Sequence, residues 1–418
     1  MSVADILVVG SGMAGLSAAL EAAEAGHDVF LVEKEPFLGG RVSRMHRFFP
    51  KMCPPICGLE LYFRRIKNNP RVRYFPLAEV RRVTGRRGDF SVELTLRPRF
   101  VLTDACTACG ECAKVCPESR VDDFNYGMAR TTAIYMPHLM AMPPKYVIDQ
   151  AACRGSRCAK CVDACPYGAI DLNMGPKTLK LSVGSIVMAT GWQPYDGTRL
   201  TDLGLGRYRN VISNVMMERL AAPDGPTGGR VLRPGDGKEV GSVAFVQCAG
   251  SRDENHLPYC SAVCCMASLK QATYLREQLP NSRVYLFFMD VRSPGKYDEF
   301  YRKVAGDEQV KVLRGKVAKI DEDPVTGNLV VHADDTIYGS KIEVTVDMVV
   351  LATGTVAEGG RASLPGLALA HDQYGFAIEG SVEGVHPAGV AKRPMDVASS
   401  VRDGTAAALR AIQDVMGS

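Results

Sequence analysis

The stretch that most constrains this chain lies near its start. Asp5-Ile-Leu-Val-Val9 is a short apolar run of the kind that forms a strand buried on both faces. Gly10-Ser-Gly12-Met-Ala-Gly15 follows, then an Ala-rich helical segment that stops at Gly26. Asp28-Val-Phe-Leu-Val32 reads as the next strand, and Glu33 closes it. Strand, glycine turn, helix, strand and acid in this order make a dinucleotide-binding unit. Gly10 permits the tight turn, Gly12 lets the backbone approach a pyrophosphate, and Gly15 lets helix and strand pack closely. The helix start offers free N–H groups and the positive end of its dipole to phosphates. Glu33, 18 residues after Gly15, is placed to accept from a ribose hydroxyl. A glycine triplet alone would fit an ordinary loop; its neighbours decide for the nucleotide.

The later sequence favours FAD over NAD at this site. Gly39-Gly40-Arg41 follows Glu33 closely, as in flavoproteins with two dinucleotide-binding domains. An Ala-Thr-Gly turn after an apolar strand, also found in that class, occurs twice, ending in Thr190-Gly191 and Thr353-Gly354. Gly384-Val-His-Pro-Ala-Gly389 leads to Asp396 and an Ala-rich helix from about Gly404. This resembles the segment whose aspartate and helix start hold the flavin ribitol and pyrophosphate.

Two cysteine blocks lie between these parts. The first is Cys106-x2-Cys109-x2-Cys112-x3-Cys116-Pro, the second Cys153-x4-Cys158-x2-Cys161-x3-Cys165-Pro. In bacterial-type ferredoxins the fourth cysteine of each run ligates the other cluster. One 4Fe–4S cluster is therefore expected on Cys106, Cys109, Cys112 and Cys165, and another on Cys153, Cys158, Cys161 and Cys116. Two extra residues separate Cys153 from Cys158, which makes Cys153 the weakest ligand assignment. Zinc or free thiols are the plainer alternatives. Zinc sites usually close on four local ligands rather than on two interlocked fours.

A second strand-turn-helix-strand unit begins near residue 240. Val243–Val246 and Arg283–Phe288 are its strands, with a helical stretch from about Ser261 to Gln278. Its turn should carry phosphate-cradling glycines but reads Gln247-Cys248-Ala-Gly250-Ser-Arg-Asp253. Cys248 is joined by Cys260, Cys264 and Cys265. Cys260 and Cys264 are four apart, which predicts one helical face. The quartet is expected to hold a third 4Fe–4S cluster; four buried small hydrophobes are the alternative.

These residues carry a family resemblance. Cys248-Ala-Gly-Ser-Arg-Asp253, then Tyr259-Cys-Ser-x-Val-Cys-Cys-Met266, resembles the signature of the A-type subunits of heterodisulfide reductases, the HdrA-like family. The likeness extends over nearly the whole chain. It implies FAD, three 4Fe–4S clusters, the third on the Cys248 quartet beside the flavin, and Lys270 facing the flavin N5. The alternative for Lys270 is a solvated charge on the helix surface. Long members of the family carry a further ferredoxin-like region. The short form resembles the corresponding QmoA-type subunits of the quinone-interacting membrane-bound oxidoreductases of sulfate reducers. That likeness implies three partners: a second flavin and iron–sulfur protein of the same family, a haem b membrane subunit contacting quinone, and adenylylsulfate reductase. A soluble heterodisulfide-reductase-like protein that bifurcates or confurcates electrons, or one of sulfur oxidation, shares every motif and is the alternative.

The fold class expected is α/β: a two-dinucleotide-binding-domain flavoprotein of thioredoxin-reductase-like Rossmann folds with an inserted bacterial-type ferredoxin. The expected boundaries are 1–102, 173–235 and 347–418 for the flavin domain, 103–172 for the insertion and 236–346 for the degenerate NAD-type domain. The start has no basic run or cleavage site of a secretory signal. No apolar run approaches the roughly 18 residues of a spanning helix. A cytoplasmic protein, peripheral on the membrane through partner subunits, is expected. Its 14 cysteines then read as redox or metal ligands rather than disulfides. A net charge of +4 gives no footprint for nucleic acid. No nucleophile, histidine and acid set is legible, so the expected role is oxidoreductase electron transfer. The missing glycines argue against hydride entry from bound NADH. Cys53 and Cys57 stay unassigned among a thiol pair near the flavin, ligands lent to a partner's cluster, and inert packing.

Overall fold

The glycine turn and its flanking elements nucleate the first sheet. In the computed structural model, which describes residues 2–49, 51–360 and 363–417, the strand β1 (Ser2–Val9) leads into the helix α1 (Met13–Glu24) and the strand β2 (Val29–Val32). β1 and β2 pair in parallel, from Ile6 opposite Val29 to Val9 opposite Val32. The strand Lys177–Met188 lies on the other side of β1, also parallel. It changes neighbour midway. Lys177–Val183 pairs antiparallel with Asp89–Leu96, whereas Ile186–Met188 pairs in parallel with Val385–Pro387. Gly184-Ser185 does not interrupt this strand.

The helix Val397–Met416 packs on α1 through small side chains, among them Ala18, Ala22, Ala407 and Ala411, all buried. The approach is close enough that a Cβ on Gly404 would fall 2.2 Å from the Ala14 carbonyl oxygen. Overpacking of this kind costs about 1–3 kcal/mol. This helix starts well before Gly404, the sequence-based expectation. Asp396 caps it, its carboxylate accepting from the Ser399 N–H at 2.6 Å.

The insertion leaves and re-enters this unit through a stitched neck. Val101 bridges Ile170, and the N–H of Leu102 donates to the Ala169 carbonyl at 2.7 Å. Phe100, Val101, Ile134, Ile148 and Ala169 form its small core, with Cys106 and Cys112 buried among them. Phe124 of the insertion packs edge-on against Phe37 of the flavin-type fold at 5.7 Å and stacks on His138 at 4.6 Å.

The chain divides into two units: Met1–Ser43 with Pro55–Trp192 and Ala357–Ser418, and Arg44–Pro54 with Gln193–Val356. The second unit holds another sheet. Its order is Val211–Ser213, Met348–Thr353, Ser242–Ala249, Arg283–Phe288, Val310–Glu322, Leu329–Asp335 and Lys341–Val346. The first five are parallel and the last two antiparallel. These boundaries differ from those read off the sequence. Residues 193–235 and 347–356 belong to the second unit rather than the flavin domain. The cause is strand pairing: Val211–Ser213 and Met348–Thr353 are neighbours in the second sheet. Residues 44–54 join the same unit.

Candidate functional site

At the first glycine turn, Gly10 has φ +99°, and a Cβ there would sit 2.2 Å from the Ala189 carbonyl oxygen. A Cβ on Gly15 would overlap the Gly10 oxygen at 1.8 Å, and one on Gly40 would meet the Gly12 Cα at 2.8 Å. Around Gly12 the space is open, with nothing within 4 Å of a Cβ position. No side chain caps the start of α1, so its first N–H groups face that opening. The Thr190 hydroxyl is buried without a partner, and Gly191 beside it has φ +78°. A cradle only glycine can form, open helix N–H groups and an orphaned hydroxyl fit a dinucleotide pyrophosphate.

Glu33 has a structural task that the sequence did not reveal. One of its carboxylate oxygens accepts from the Ser11 N–H at 2.8 Å and the Ser11 hydroxyl at 2.6 Å, and the other from the Glu35 N–H at 2.9 Å. Three of about four acceptor positions are thus used to brace the glycine loop. Burial pushes its pKa up against these stabilising bonds. Arg41 donates to the Trp192 carbonyl and lies 5.0 Å from that ring's centroid. Gly389, at φ +64°, donates its N–H to Asp403 at 2.7 Å and backs onto Ala14 in the first turn of α1.

The second Ala-Thr-Gly turn is elsewhere. Thr353 and Gly354 lie in the second unit, where the Thr353 hydroxyl bonds the Asn214 side-chain oxygen at 3.1 Å. A Cβ on Gly354 would meet the Ser251 hydroxyl at 2.4 Å. The Thr353 carbonyl accepts from the Cys264 thiol at 3.7 Å. These two residues therefore border the cysteine quartet.

In the insertion, a cavity of about 300 Å³, counting its open mouth, is lined by Cys106, Cys109, Cys112 and Cys165. Burial, then repulsion from Cys106, pushes the Cys112 thiol up to about 12. Cys161 is raised by burial, then by Cys153 and Cys116. The two blocks thus exchange their fourth cysteines. Gly110 (φ +88°) and Ala159 (φ +50°) start equivalent short helices, Glu111–Lys114 and Lys160–Asp163. The extra residues of the second block are taken up by a single 3-10 turn, Gly155–Arg157, which leaves Cys153 on the insertion's core. N–H groups point at sulfur: Gly155 to Cys153 and Ala169 to Cys165, both at 3.3 Å.

In the second unit Cys248 occupies the left-handed region (φ +56°), at the turn where a nucleotide fold would have glycine. Cys260 is not on the helix. That helix, Cys264–Gln278, starts at Cys264, and Ala262 in the left-handed region (φ +63°) turns the chain before it. Buried Ser261 pins this turn by accepting from the Thr355 N–H at 2.8 Å. The four thiols act on one another's charge: burial, then Cys265 and Cys260, push Cys248 up to about 11, and burial with Cys265, Cys248 and Cys260 raises Cys264. Desolvation and mutual repulsion oppose four bare thiolates, so the set fits a cationic iron core that offsets both.

Lys270 is buried on this helix, not solvated. Its ammonium pairs with Glu218 at 3.0 Å and donates to the Arg47 carbonyl at 2.6 Å. Glu218 also accepts from Gln271 at 2.7 Å, the His46 N–H at 3.0 Å and the Tyr274 hydroxyl at 3.2 Å. The His46 Nδ1 is buried without a partner. This polar network was not legible, because Glu218 reads in sequence as an ordinary helix-surface acid.

Together these parts define an FAD-dependent oxidoreductase carrying a 4Fe–4S ferredoxin domain. The family model of FAD-dependent oxidoreductases matches residues 5–62, and that of 4Fe–4S binding domains residues 100–119. The fold is that of thioredoxin reductases: the T. acidophilum enzyme superposes at a TM-score of 0.54 with 15% identity, covering 100% of both chains. The Lactococcus lactis enzyme gives 0.52 with 12% identity, covering 99% of this chain and 100% of its own. In sequence, the homologues are the A-type subunits of heterodisulfide reductases. The iron-sulfur A-type subunit of the CoB–CoM heterodisulfide reductase of Methanocaldococcus jannaschii is 39% identical over 96% of this chain and 63% of its own length. Its counterpart in the H(2):CoB-CoM heterodisulfide,ferredoxin reductase of Methanothermobacter marburgensis is 36% identical over 97% and 63%. That of the Ferredoxin/F(420)H(2)-dependent CoB-CoM heterodisulfide reductase of Methanosarcina acetivorans is 38% identical over 98% and 53%. The chain thus spans less than two thirds of these relatives.

Proposed function

We propose that this chain is the flavin and iron–sulfur electron-transfer subunit of a soluble heterodisulfide-reductase-like complex, dividing or joining electron pairs at its flavin. One observation carries the reading. Cys248 takes the left-handed turn where a phosphate-cradling glycine would stand, Cys264 and Cys265 open the helix that follows, and Cys260 lies in the turn just before it. When bound, FAD exchanges electrons in pairs or singly and each of three 4Fe–4S clusters carries one.

The chain's own residues hold and insulate these groups. Gly10, Gly12, Gly15 and Gly40 shape the pyrophosphate cradle, with Thr190, Gly191, Gly389 and Asp396 completing the flavin site. The twelve cysteines of the three sets supply thiolates, and the N–H groups aimed at sulfur steady the charge. Lys270 is the proposed catalytic residue toward the flavin, paired with Glu218 at 3.0 Å.

Partner subunits follow from the relatives' names, each of which is one component of a larger reductase. A narrower reading joins the chain to a haem b membrane subunit, quinone and adenylylsulfate reductase. It is the weaker one, since heterodisulfide and ferredoxin stand in the relatives' names. No helix among the described residues is long and apolar enough to cross a membrane. Either complex would bring the chain to the cytoplasm, the second at the membrane face.

Anaerobic isolation of the native complex tests the proposal. A complex recovered without membranes, whose flavin is bleached by reduced ferredoxin and not by NADH, is expected. Recovery with a haem b protein and quinol-driven bleaching would transfer the chain to the narrower reading. Bleaching by NADH alone would overturn both.

A further inference from the structure

Arg99 stands at the neck of the insertion with 5% of its surface exposed. Its guanidinium donates to the carbonyls of Pro36, of Lys145 at 3.2 Å and of Tyr146 at 3.4 Å. Among the described residues no carboxylate pairs with it. A buried cation held only by carbonyl dipoles is costly, because desolvation is not offset by an opposite charge. Burial lowers its pKa to about 10, so it stays protonated at neutral pH, and Tyr135, Cys106 and Tyr74 are its titratable neighbours. Of these, Cys106 belongs to the first cysteine set.

Lys145 continues the same line. Its carbonyl accepts from Arg99, and its ammonium donates to the Cys106 carbonyl. It too has no carboxylate partner among the described residues. The second cysteine set is surrounded differently. The Cys153 N–H donates to the carbonyl of Asp149, whose carboxylate neutralises Arg120 at 2.6 Å. Arg154, beside Cys153, pairs with Glu118 at 2.6 Å. Arg157 and Lys160 flank Cys158 but are exposed, where water and salt screen them.

We infer that Arg99 and Lys145 are the built-in counter-charges of the first cluster and make it the higher-potential member of the ferredoxin pair. The inference rests on the reading that both cysteine sets bind cubanes. A cubane on four thiolates is net negative, and one further electron adds one negative charge. An uncompensated cation in a low-dielectric neck stabilises that added charge more than a neutralised pair does. Arg99 also clamps Pro36, just ahead of Gly39-Gly40. The neck that sets the first cluster's potential is thereby tied to the loop forming the flavin cradle.

The test uses the full chain, reconstituted anaerobically with iron and sulfide and titrated with dithionite under EPR. Loss of one signal in Cys109→Ala assigns the first cluster. In Arg99→Gln and in Lys145→Gln, that cluster should become about tenfold harder to reduce, or about 59 mV more negative for one electron. The second cluster's potential should stay fixed, and Arg99→Lys should retain most of the parent value. Lys145 is partly exposed, so its variant carries the test if Arg99→Gln does not fold. Unmoved potentials in iron-replete variants, or a first cluster that is already the lower of the two in the parent, would overturn the inference. A parent chain that holds fewer than two cubanes would overturn the cysteine assignment beneath it, and the iron count separates that result from an unmoved potential.

Discussion

Replacing Glu218 by Gln removes one charge and almost no volume. Glu218 and Lys270 are 7% and 5% exposed, so water cannot take over the lost partner. The amide can serve Gln271 or the His46 N–H and Tyr274, but it leaves the ammonium of Lys270 buried beside a neutral group. Breaking a buried pair in this way costs about 3–5 kcal/mol. With an m-value of about 3 kcal/mol/M for a chain of this size, the urea midpoint of the second unit should fall by roughly 1–2 M. Lys270→Met should cost less, since Glu218 keeps three donors from Gln271, His46 and Tyr274. The double variant, with no charge left, should be more stable than Glu218→Gln alone. Far-ultraviolet circular dichroism through a urea series reads all four proteins. A Glu218→Gln cost under about 1 kcal/mol, or a double variant worse than the single, would refute the claim that Glu218 balances Lys270.

Two further outcomes follow from the geometry. Gly10→Ala puts a methyl 2.2 Å from the Ala189 oxygen at φ +99°, so the purified variant should lose most of its bound flavin by absorbance. Burial, then the charge of Arg47, lowers the His46 pKa. The unfolded chain therefore binds a proton below about pH 6.5 that the folded chain resists, and stability falls as the pH drops through that value. Thermal melts at about pH 7.5 and about pH 5.5, either side of that value, should show a smaller acid loss in His46→Gln than in the parent. Equal losses would remove His46 as a cause.

Local chemistry was legible and tertiary partnership was not. Gly10 and Gly15 announce their turn because a left-handed φ or a close backbone approach admits no other residue. The interlocked cysteines announce an insertion because their spacing serves no ordinary packing. By contrast, Cys260 and Cys264 are spaced for one helical face, yet a turn held by Ser261 and Thr355, 94 residues apart, keeps Cys260 off the helix. A solvated surface charge stayed open as the alternative for Lys270 because its partner Glu218 lies 52 residues upstream. Thr353 and Gly354 share the tripeptide of Thr190 and Gly191. Which sheet each turn ends in is set by strand pairing, which the tripeptide does not encode.

The central claim is that the second nucleotide fold holds a cluster in place of a coenzyme. Iron and sulfide analysis with EPR on anaerobically reconstituted parent and Cys264→Ala tests it most directly. About 12 iron per parent chain are expected, about 8 in the variant, and loss of one cluster signal with both ferredoxin signals kept. A parent holding only about 8, or a variant whose iron and spectrum match the parent's, would contradict it.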